Sequence, residues 1–106
     1  MRISIIDLRQ VMGTVLIEET TMLRRNPDQE FSKIDDEVVM LSKKNGEYYA
    51  LNSVGSRIWE IIENPITVKE VLDKLNAEFE IGHDICATQT IELLNEMNKK
   101  SLIELC

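Results

Sequence analysis

Histidine and cysteine are scarce in this sequence. Its 106 residues include one histidine and two cysteines, Cys86 and Cys106, which lie far apart and form no CxxC motif. Such cysteines are typical of free thiols in a cytosolic protein rather than of a disulfide framework. A glycine-rich phosphate loop and the GxSxG motif of hydrolases are also missing from the sequence. We therefore predict that the protein is not an enzyme and needs no cofactor.

His83, Asp84 and Cys86 are potentially reactive side chains that lie close together in the sequence. They follow one another too closely to supply the three or four ligands of a metal site. We interpret His83 as a solvated loop residue and Cys86 as a small, partly buried residue near the start of a helix. No metal site is expected here.

Basic residues and long apolar runs are also limited. There are 12 basic and 19 acidic residues, which gives a net charge of −7 and opposes binding to nucleic acid or to an anionic membrane. No apolar run reaches the roughly 18 residues of a membrane helix. The N-terminal apolar run is broken by Asp7 and Arg9 and has no small-residue cleavage site, which argues against a signal peptide. The cytoplasm is the expected location.

The chain length predicts a single domain. Residues 1–21 contain two β-branched apolar runs around Gly13, which suit two strands or a helix and a strand. We interpret them as an N-terminal extension with room for extra strands. The polar stretch 24–29 contains Pro27 and is predicted to be a loop.

Three short strands are predicted over residues 30–34, 38–42 and 47–52. Asp35-Asp36 would form the first turn. Asn45-Gly46 predicts a two-residue type I′ hairpin, which would place Met40 opposite Leu51. The alternation of strand side chains then places two apolar sets on opposite faces, Val38, Met40, Tyr49 and Leu51 on one and Val39, Leu41, Tyr48 and Ala50 on the other. Helices would cover one face, and residues 1–21 or a dimer partner would cover the other.

Three helices are predicted after the strands. The first spans about residues 53–63 after a cap at Asn52-Ser53, and the second begins with a capping box of Thr67 and Glu70. The third runs from residue 84 or 85 to 99, and an apolar tail at 101–105 packs against the core. The predicted fold is α+β and similar to a winged helix-turn-helix, with a small antiparallel N-terminal sheet of about three strands followed by three helices.

The third strand is predicted to have a free backbone edge. If residues 30–34 pair with 38–42, the strand at 47–52 is left at the edge of the sheet, with the third helix forming the far wall of a groove. A peptide added there would gain main-chain hydrogen bonds from the strand and side-chain pockets from the groove. The N-terminal segment or a dimer partner could instead occupy this edge.

One motif in this region resembles the PqqD family. It reads YxLNxxGxxIW and comprises Tyr49, Leu51, Asn52, Gly55, Ile58 and Trp59. A softer match covers about residues 30–105, through Thr67, Leu72, Leu75, Phe79, Leu94, Met97, Leu102 and Ile103. Gln89 and Ser101 depart from the pattern, because the family commonly has an acidic residue and a glycine there. Ser101 is expected to make the helix end less sharp.

The resemblance implies a peptide chaperone, or recognition element, for ribosomally synthesised and post-translationally modified peptides such as pyrroloquinoline quinone precursors and lasso peptides. Residues 22–106 would be the recognition domain. The leader of the precursor would add as a strand beside the third strand and lie against the third helix, and a radical SAM maturase or a leader protease and cyclase would act on the precursor. Carried onto this chain, the peptide-binding residues are Glu47, Tyr48, Tyr49, Ala50, Leu51 and Asn52 on the strand and Ile91, Leu94, Asn95 and Asn98 on the helix.

Two other functions remain open from the sequence. A winged-helix DNA-binding regulator would need basic residues on its recognition helix, whereas the third helix carries Glu92 and Glu96 and has lysines only at its end. A structural module that forms a homodimer would bury the strand at 47–52 in the dimer interface.

Overall fold

The computed structural model describes residues 17–80 and 82–106, with the side chains of residues 83 and 85 left aside. Within this part of the chain the fold is α+β, with six short strands and three helices. The predicted order of three strands followed by three helices is confirmed, whereas the winged-helix label stays a prediction. In chain order the elements are β1 (Met22–Arg25), β2 (Phe31–Ile34), β3 (Glu37–Ser42), β4 (Glu47–Ala50), α1 (Ser53–Ile61), β5 (Ile66–Thr67), α2 (Val68–Glu78), α3 (His83–Lys99) and β6 (Ile103–Leu105).

Strands β2, β3 and β4 form an antiparallel sheet in that order, with β4 at the edge as predicted. The turn between β2 and β3 has two central residues, Asp35 and Asp36, both with positive φ of 50° and 67°. Positive φ at both positions is the signature of a type I′ turn, and aspartate tolerates this conformation. The type I′ turn predicted at Asn45-Gly46 therefore occurs one hairpin earlier.

The β3–β4 connection is a four-residue loop, which corrects the predicted register. Ser42 pairs with Glu47 and Met40 with Tyr49, not with Leu51. The Gly46 N–H donates to Ser42 O at 2.7 Å, and the Asn45 N–H donates to Ser42 Oγ at 3.1 Å. Because the register of β4 against β3 shifts by two residues, an even number, the predicted division of side chains between the two faces is retained.

A second antiparallel sheet, in the order β5-β1-β6, was not predicted. Its central strand β1 includes Arg24 and Arg25, so the prediction of a loop beginning at residue 24 is wrong. Arg24 forms an ion pair with Glu104, 80 residues away, and Arg25 donates to Trp59 O at 3.1 Å. The strand forms because both its edges are paired and its arginines find distant partners, which local sequence does not reveal.

The helices begin and end close to their predicted positions. Thr67 and Glu70 form the predicted capping box, with each side chain accepting a hydrogen bond from the other's backbone N–H. The end of α3 is sharp, contrary to expectation. Ser101 adopts a positive φ of 62°, and the Leu102 N–H donates to Met97 O at 2.9 Å, as in a Schellman motif.

The core lies between the helices, the inner face of the β2-β3-β4 sheet and the second sheet. It is built on large, fully buried side chains, among them Trp59, Leu23, Met40, Ile58, Ile62, Leu72, Leu75 and Leu94. Within the described residues, the outer face of the β2-β3-β4 sheet is exposed at Ile34, Leu41 and Tyr48, and its predicted cover by residues 1–21 or a dimer partner stays a prediction. Of the predicted N-terminal extension, residues 1–16 lie outside the described part, and residues 17–21 contain no strand.

Candidate functional site

Strand β4 pairs with β3 on one side, and no described strand pairs with its other side. The Leu51 N–H donates to Val38 O at 2.9 Å, which sets the pattern of the ladder. In an antiparallel pair every second residue directs both backbone groups to the same neighbour. The backbone N–H and C=O groups of Tyr49 therefore point toward β3, as those of Leu51 do. The backbone N–H and C=O groups of Tyr48 and Ala50 face the free edge.

An apolar cavity lies beside the C-terminal end of this edge. It has a volume of about 330 Å³ and separates the strand end and helix α1 from the N-terminal half of α3. Its lining consists of Ala50, Leu51, Asn52, Val54, Gly55 and Ile58 on one side and Cys86, Gln89, Thr90 and Leu93 on α3. We call this cavity together with the free edge of β4 the groove.

The passage from strand to helix shapes the floor of the groove. Asn52 caps α1, its Oδ1 accepting from the Gly55 N–H at 2.8 Å. A Cβ atom at Gly55 would lie 3.3 Å from Asn52 Oδ1, 3.3 Å from Leu51 Cβ and 3.5 Å from Leu93 Cδ2. Glycine at this position therefore lets α1 lie close to the strand end and keeps the space toward α3 open.

Ser56 holds the strand end and the helix together. Its Oγ accepts from the Val38 N–H at 2.7 Å and donates to Leu51 O at 3.0 Å, and the residue is only 2% exposed. The hydroxyl thus bridges two backbone groups of the β3–β4 ladder at the point where the chain turns into α1. This bridge fixes the position of Leu51, which lines the groove.

At the opposite end of β4, side chains of the hairpin contact the end of α3. Glu47 Oε1 accepts from Tyr49 Oη at 2.9 Å and from Lys100 Nζ at 3.4 Å. Asn45 Nδ2 donates to Lys100 O at 3.1 Å and to Tyr49 Oη at 3.3 Å. These four residues, called the clasp below, join the start of the edge strand to the helix terminus.

The clasp changes the acid–base properties of its members. The hydrogen bond from Tyr49 and the charge of Lys100 lower the pKa of Glu47. Desolvation and the neighbouring carboxylate raise the pKa of Tyr49, and the Glu47 charge raises the pKa of Lys100. All three shifts favour a carboxylate facing an ammonium and a neutral phenol at neutral pH.

Three strand residues of the predicted site line the cavity and the four helix residues do not, and the binding of peptide by either set stays a prediction. Ala50, Leu51 and Asn52 line the cavity, and Glu47 to Tyr49 continue the edge. Leu94 is 0% exposed in the core. None of the four predicted helix residues, Ile91, Leu94, Asn95 and Asn98, lines the cavity.

The helix residues of the groove lie on a neighbouring face of α3. Cys86, Gln89, Thr90 and Leu93 follow the spacing of residues that share one helix face. Cys86 and Thr90 are buried, with 4.0 Å between Sγ and Oγ1, and Gln89 is at the exposed rim. Two small residues one turn apart leave room beside a helix, and this signal in the sequence could have located the groove face.

The described residues contain no group of three His, Cys, Asp or Glu side chains placed to hold a metal ion. In the same part of the chain, no helix is both long enough and apolar enough to cross a bilayer.

Comparison with known proteins supports the family resemblance that the YxLNxxGxxIW motif indicated. Residues 37–103 match the family model for coenzyme PQQ synthesis protein D, PqqD. A solved structure, TbiB1 in complex with the TbiA(beta) leader peptide, is similar with a TM-score of 0.68 and 31% sequence identity, covering 76% of this chain and 94% of that chain. No curated protein gives a significant match. Since the family model spans more than half of the sequence, this chain belongs to the PqqD family.

Proposed function

We propose that this protein binds the leader segment of a ribosomally synthesised precursor peptide by adding it as a strand to β4. The observation that carries the proposal is the free edge of β4 beside an apolar cavity. The similarity to TbiB1, whose structure contains a leader peptide, supports the same function. Strand addition is a common mode of peptide recognition, because it satisfies the backbone groups of an exposed edge.

Tyr48 and Ala50 supply the main-chain contacts in this proposal. Their N–H and C=O groups face outward, so a leader strand gains hydrogen bonds from these two residues and from neither Tyr49 nor Leu51. Leader side chains alternate in direction, and every second one enters the groove between Leu51 and Leu93. Main-chain pairing supplies affinity that depends little on sequence, and the apolar groove supplies the preference for particular leaders.

The proposed role is that of a recognition partner for a modifying enzyme. Holding the leader raises the effective concentration of the attached precursor at that enzyme. The enzyme would be a radical SAM maturase or a leader protease with a cyclase. The protein itself contributes no reacting group in this proposal.

Amide hydrogen exchange measured by NMR tests the pairing residue by residue. The probe is a synthetic peptide with the leader sequence of the precursor encoded beside the gene for this chain, and a scrambled peptide is the control. The Tyr49 and Leu51 amides are expected to be protected already in the free protein. The Tyr48 and Ala50 amides are expected to exchange fast and to become at least tenfold slower when the leader binds.

Two outcomes would contradict the proposal. Saturable leader binding without added protection at Tyr48 and Ala50 would rule out strand addition to β4. Protection of both amides in the free protein, together with a dimer on size-exclusion chromatography and no leader binding, would favour a homodimerisation module.

DNA binding is not favoured, because the acidic residues Asp84, Glu92 and Glu96 are exposed along α3.

A further inference from the structure

The groove has one closed end and one open end. At the start of β4 the clasp joins the hairpin to the C-terminus of α3. The cavity lies at the other end of the strand, between Ala50 and the N-terminal half of α3. Strand and helix are therefore held together at the clasp and lie apart beside the cavity.

Side chains rather than backbone packing hold the closed end. The hairpin backbone packs on α1 through β3, whereas its link to α3 passes through Asn45, Glu47, Tyr49 and Lys100. A further hydrogen bond, 2.8 Å from Lys44 Nζ to Ser101 Oγ, flanks the clasp. The Lys100 ammonium also lies 5.9 Å from the centre of the Tyr49 ring, within the range of a cation–π contact.

Ser101 is held in the left-handed conformation, which is unfavourable for most residues other than glycine, asparagine and aspartate. Its carbonyl accepts from Asn26 Nδ2 at 3.2 Å and its hydroxyl accepts from Lys44. A glycine would adopt this backbone conformation more readily but could not accept from Lys44. The serine thus adds a link between the hairpin and the helix end.

We propose that the clasp sets the width of the groove and so controls leader affinity without touching the leader. This inference rests on the proposed function. Glu47 directs its backbone toward β3 and its carboxylate toward Tyr49 and Lys100, so it is a positioning residue. Lys100 and Asn45 are also positioning residues, because they act on the groove through their contacts in the clasp. A groove already held at the width of the bound peptide spends less free energy on ordering when the leader binds.

The test compares Lys100→Met, which keeps the length of the side chain and removes its charge, with Lys100→Arg, which keeps the charge. Lys99→Met is the matched control, because Lys99 is exposed and pairs with Glu96 on its own helix. The leader peptide defined above is titrated into each full-length variant. We expect about tenfold weaker binding for Lys100→Met combined with Asn45→Ala, a smaller loss for Lys100→Met alone, and affinities within about twofold of wild type for Lys100→Arg and Lys99→Met.

The outcomes separate this inference from the function on which it rests. A wild-type chain that binds no leader would contradict the proposed function itself. A wild type and a double variant with equal leader affinity would overturn the clasp proposal alone. A double variant that no longer folds, judged by its amide chemical shifts, would also overturn it, because the clasp would then support the fold rather than the groove.

Discussion

Gly55 and Ser56, two adjacent residues of the family motif region, solve different problems where β4 passes into α1. Gly55 leaves space between the strand end, the cap residue and α3. Ser56 satisfies the Val38 N–H and the Leu51 C=O with one hydroxyl. Both roles follow from local geometry, and each leads to a separate prediction.

Replacing Ser56 with alanine is expected to lower the free energy of unfolding by about 1–3 kcal/mol. The change removes two hydrogen bonds and leaves the Val38 N–H without its partner in a buried position. Urea unfolding followed by tryptophan fluorescence measures the loss, since Trp59 is the only tryptophan. Ser53→Ala at the exposed first position of α1 is the control and should change stability by less than about 0.5 kcal/mol. Equal stabilities of the two variants would show that the bridge is dispensable.

Replacing Gly55 with alanine is expected to affect binding more than stability. Alanine gains about 0.5–1 kcal/mol of helix propensity, which offsets the crowding of the new Cβ against Asn52 and Leu51. The same methyl group narrows the space toward Leu93 in the groove. We therefore expect an unfolding free energy within about 1 kcal/mol of wild type and leader affinity reduced at least threefold. Titration calorimetry showing full affinity would place the bound peptide away from this floor.

In the described part of the chain, the free edge of β4 leads into the cavity between α1 and α3. Edge strands are hazards unless they are paired, covered or functional. On the side that faces β3, the ladder and Ser56 satisfy the backbone, so changes at that side and at the free side should have different effects.

A proline at position 50 tests this difference within one strand. Ala50 directs its N–H to the free edge, so Ala50→Pro removes a donor that the β3–β4 ladder does not use. We expect a folded protein whose leader affinity is at least tenfold weaker, from the lost hydrogen bond and the bulk of the ring. Ala50→Ser keeps the N–H and should bind within about twofold of wild type. Proline and serine variants of equal affinity would argue against pairing at this residue.

For the molecule as a whole, two ion pairs between elements and one helix cap are expected to make the stability depend on pH. Lys33 on β2 lowers the pKa of Glu60 on α1 through a 2.6 Å hydrogen bond. Arg57 donates two hydrogen bonds to Glu78 on α2, at 2.7 and 2.9 Å, and lowers the pKa of that carboxyl. The capping hydrogen bonds of Thr67 lower the pKa of Glu70.

These shifts predict a loss of stability in acid. A carboxyl whose pKa is lower in the folded state stabilises the fold above its unfolded pKa, and this contribution disappears as the pH falls through the folded value. The urea midpoint is expected to be flat between about pH 6 and 8 and to fall below about pH 4.5. Glu78→Gln should lower the midpoint at pH 7 and reduce the fall in acid. A decline that is complete above pH 5.5 would assign the transition to other groups.

Local signals in the sequence were sufficient to predict the helices, the three consecutive strands and the exposed edge. The capping box at Thr67 and the alternation in β3 each depend on residues close together in the chain, and such interactions leave a readable pattern. The motif that identifies the family lies in the same local stretch, from Tyr49 to Trp59. Its residues cap, space and bury a single strand-to-helix turn.

Only the tertiary structure determined the second sheet and the hairpin register, and the prediction from sequence did not select the face of α3 that lines the groove. Strand β1 forms because β5 and β6 arrive from distant parts of the chain. The β3–β4 loop has four residues, and its Asn45 and Lys44 bind the end of α3. Asn-Gly locally favours a two-residue turn. The observed four-residue loop instead lets Asn45 and Lys44 contact residues 100 and 101 at the end of α3. The prediction from sequence included Leu94 among the peptide-binding residues, whereas packing places Leu94 in the core and Leu93 at the groove.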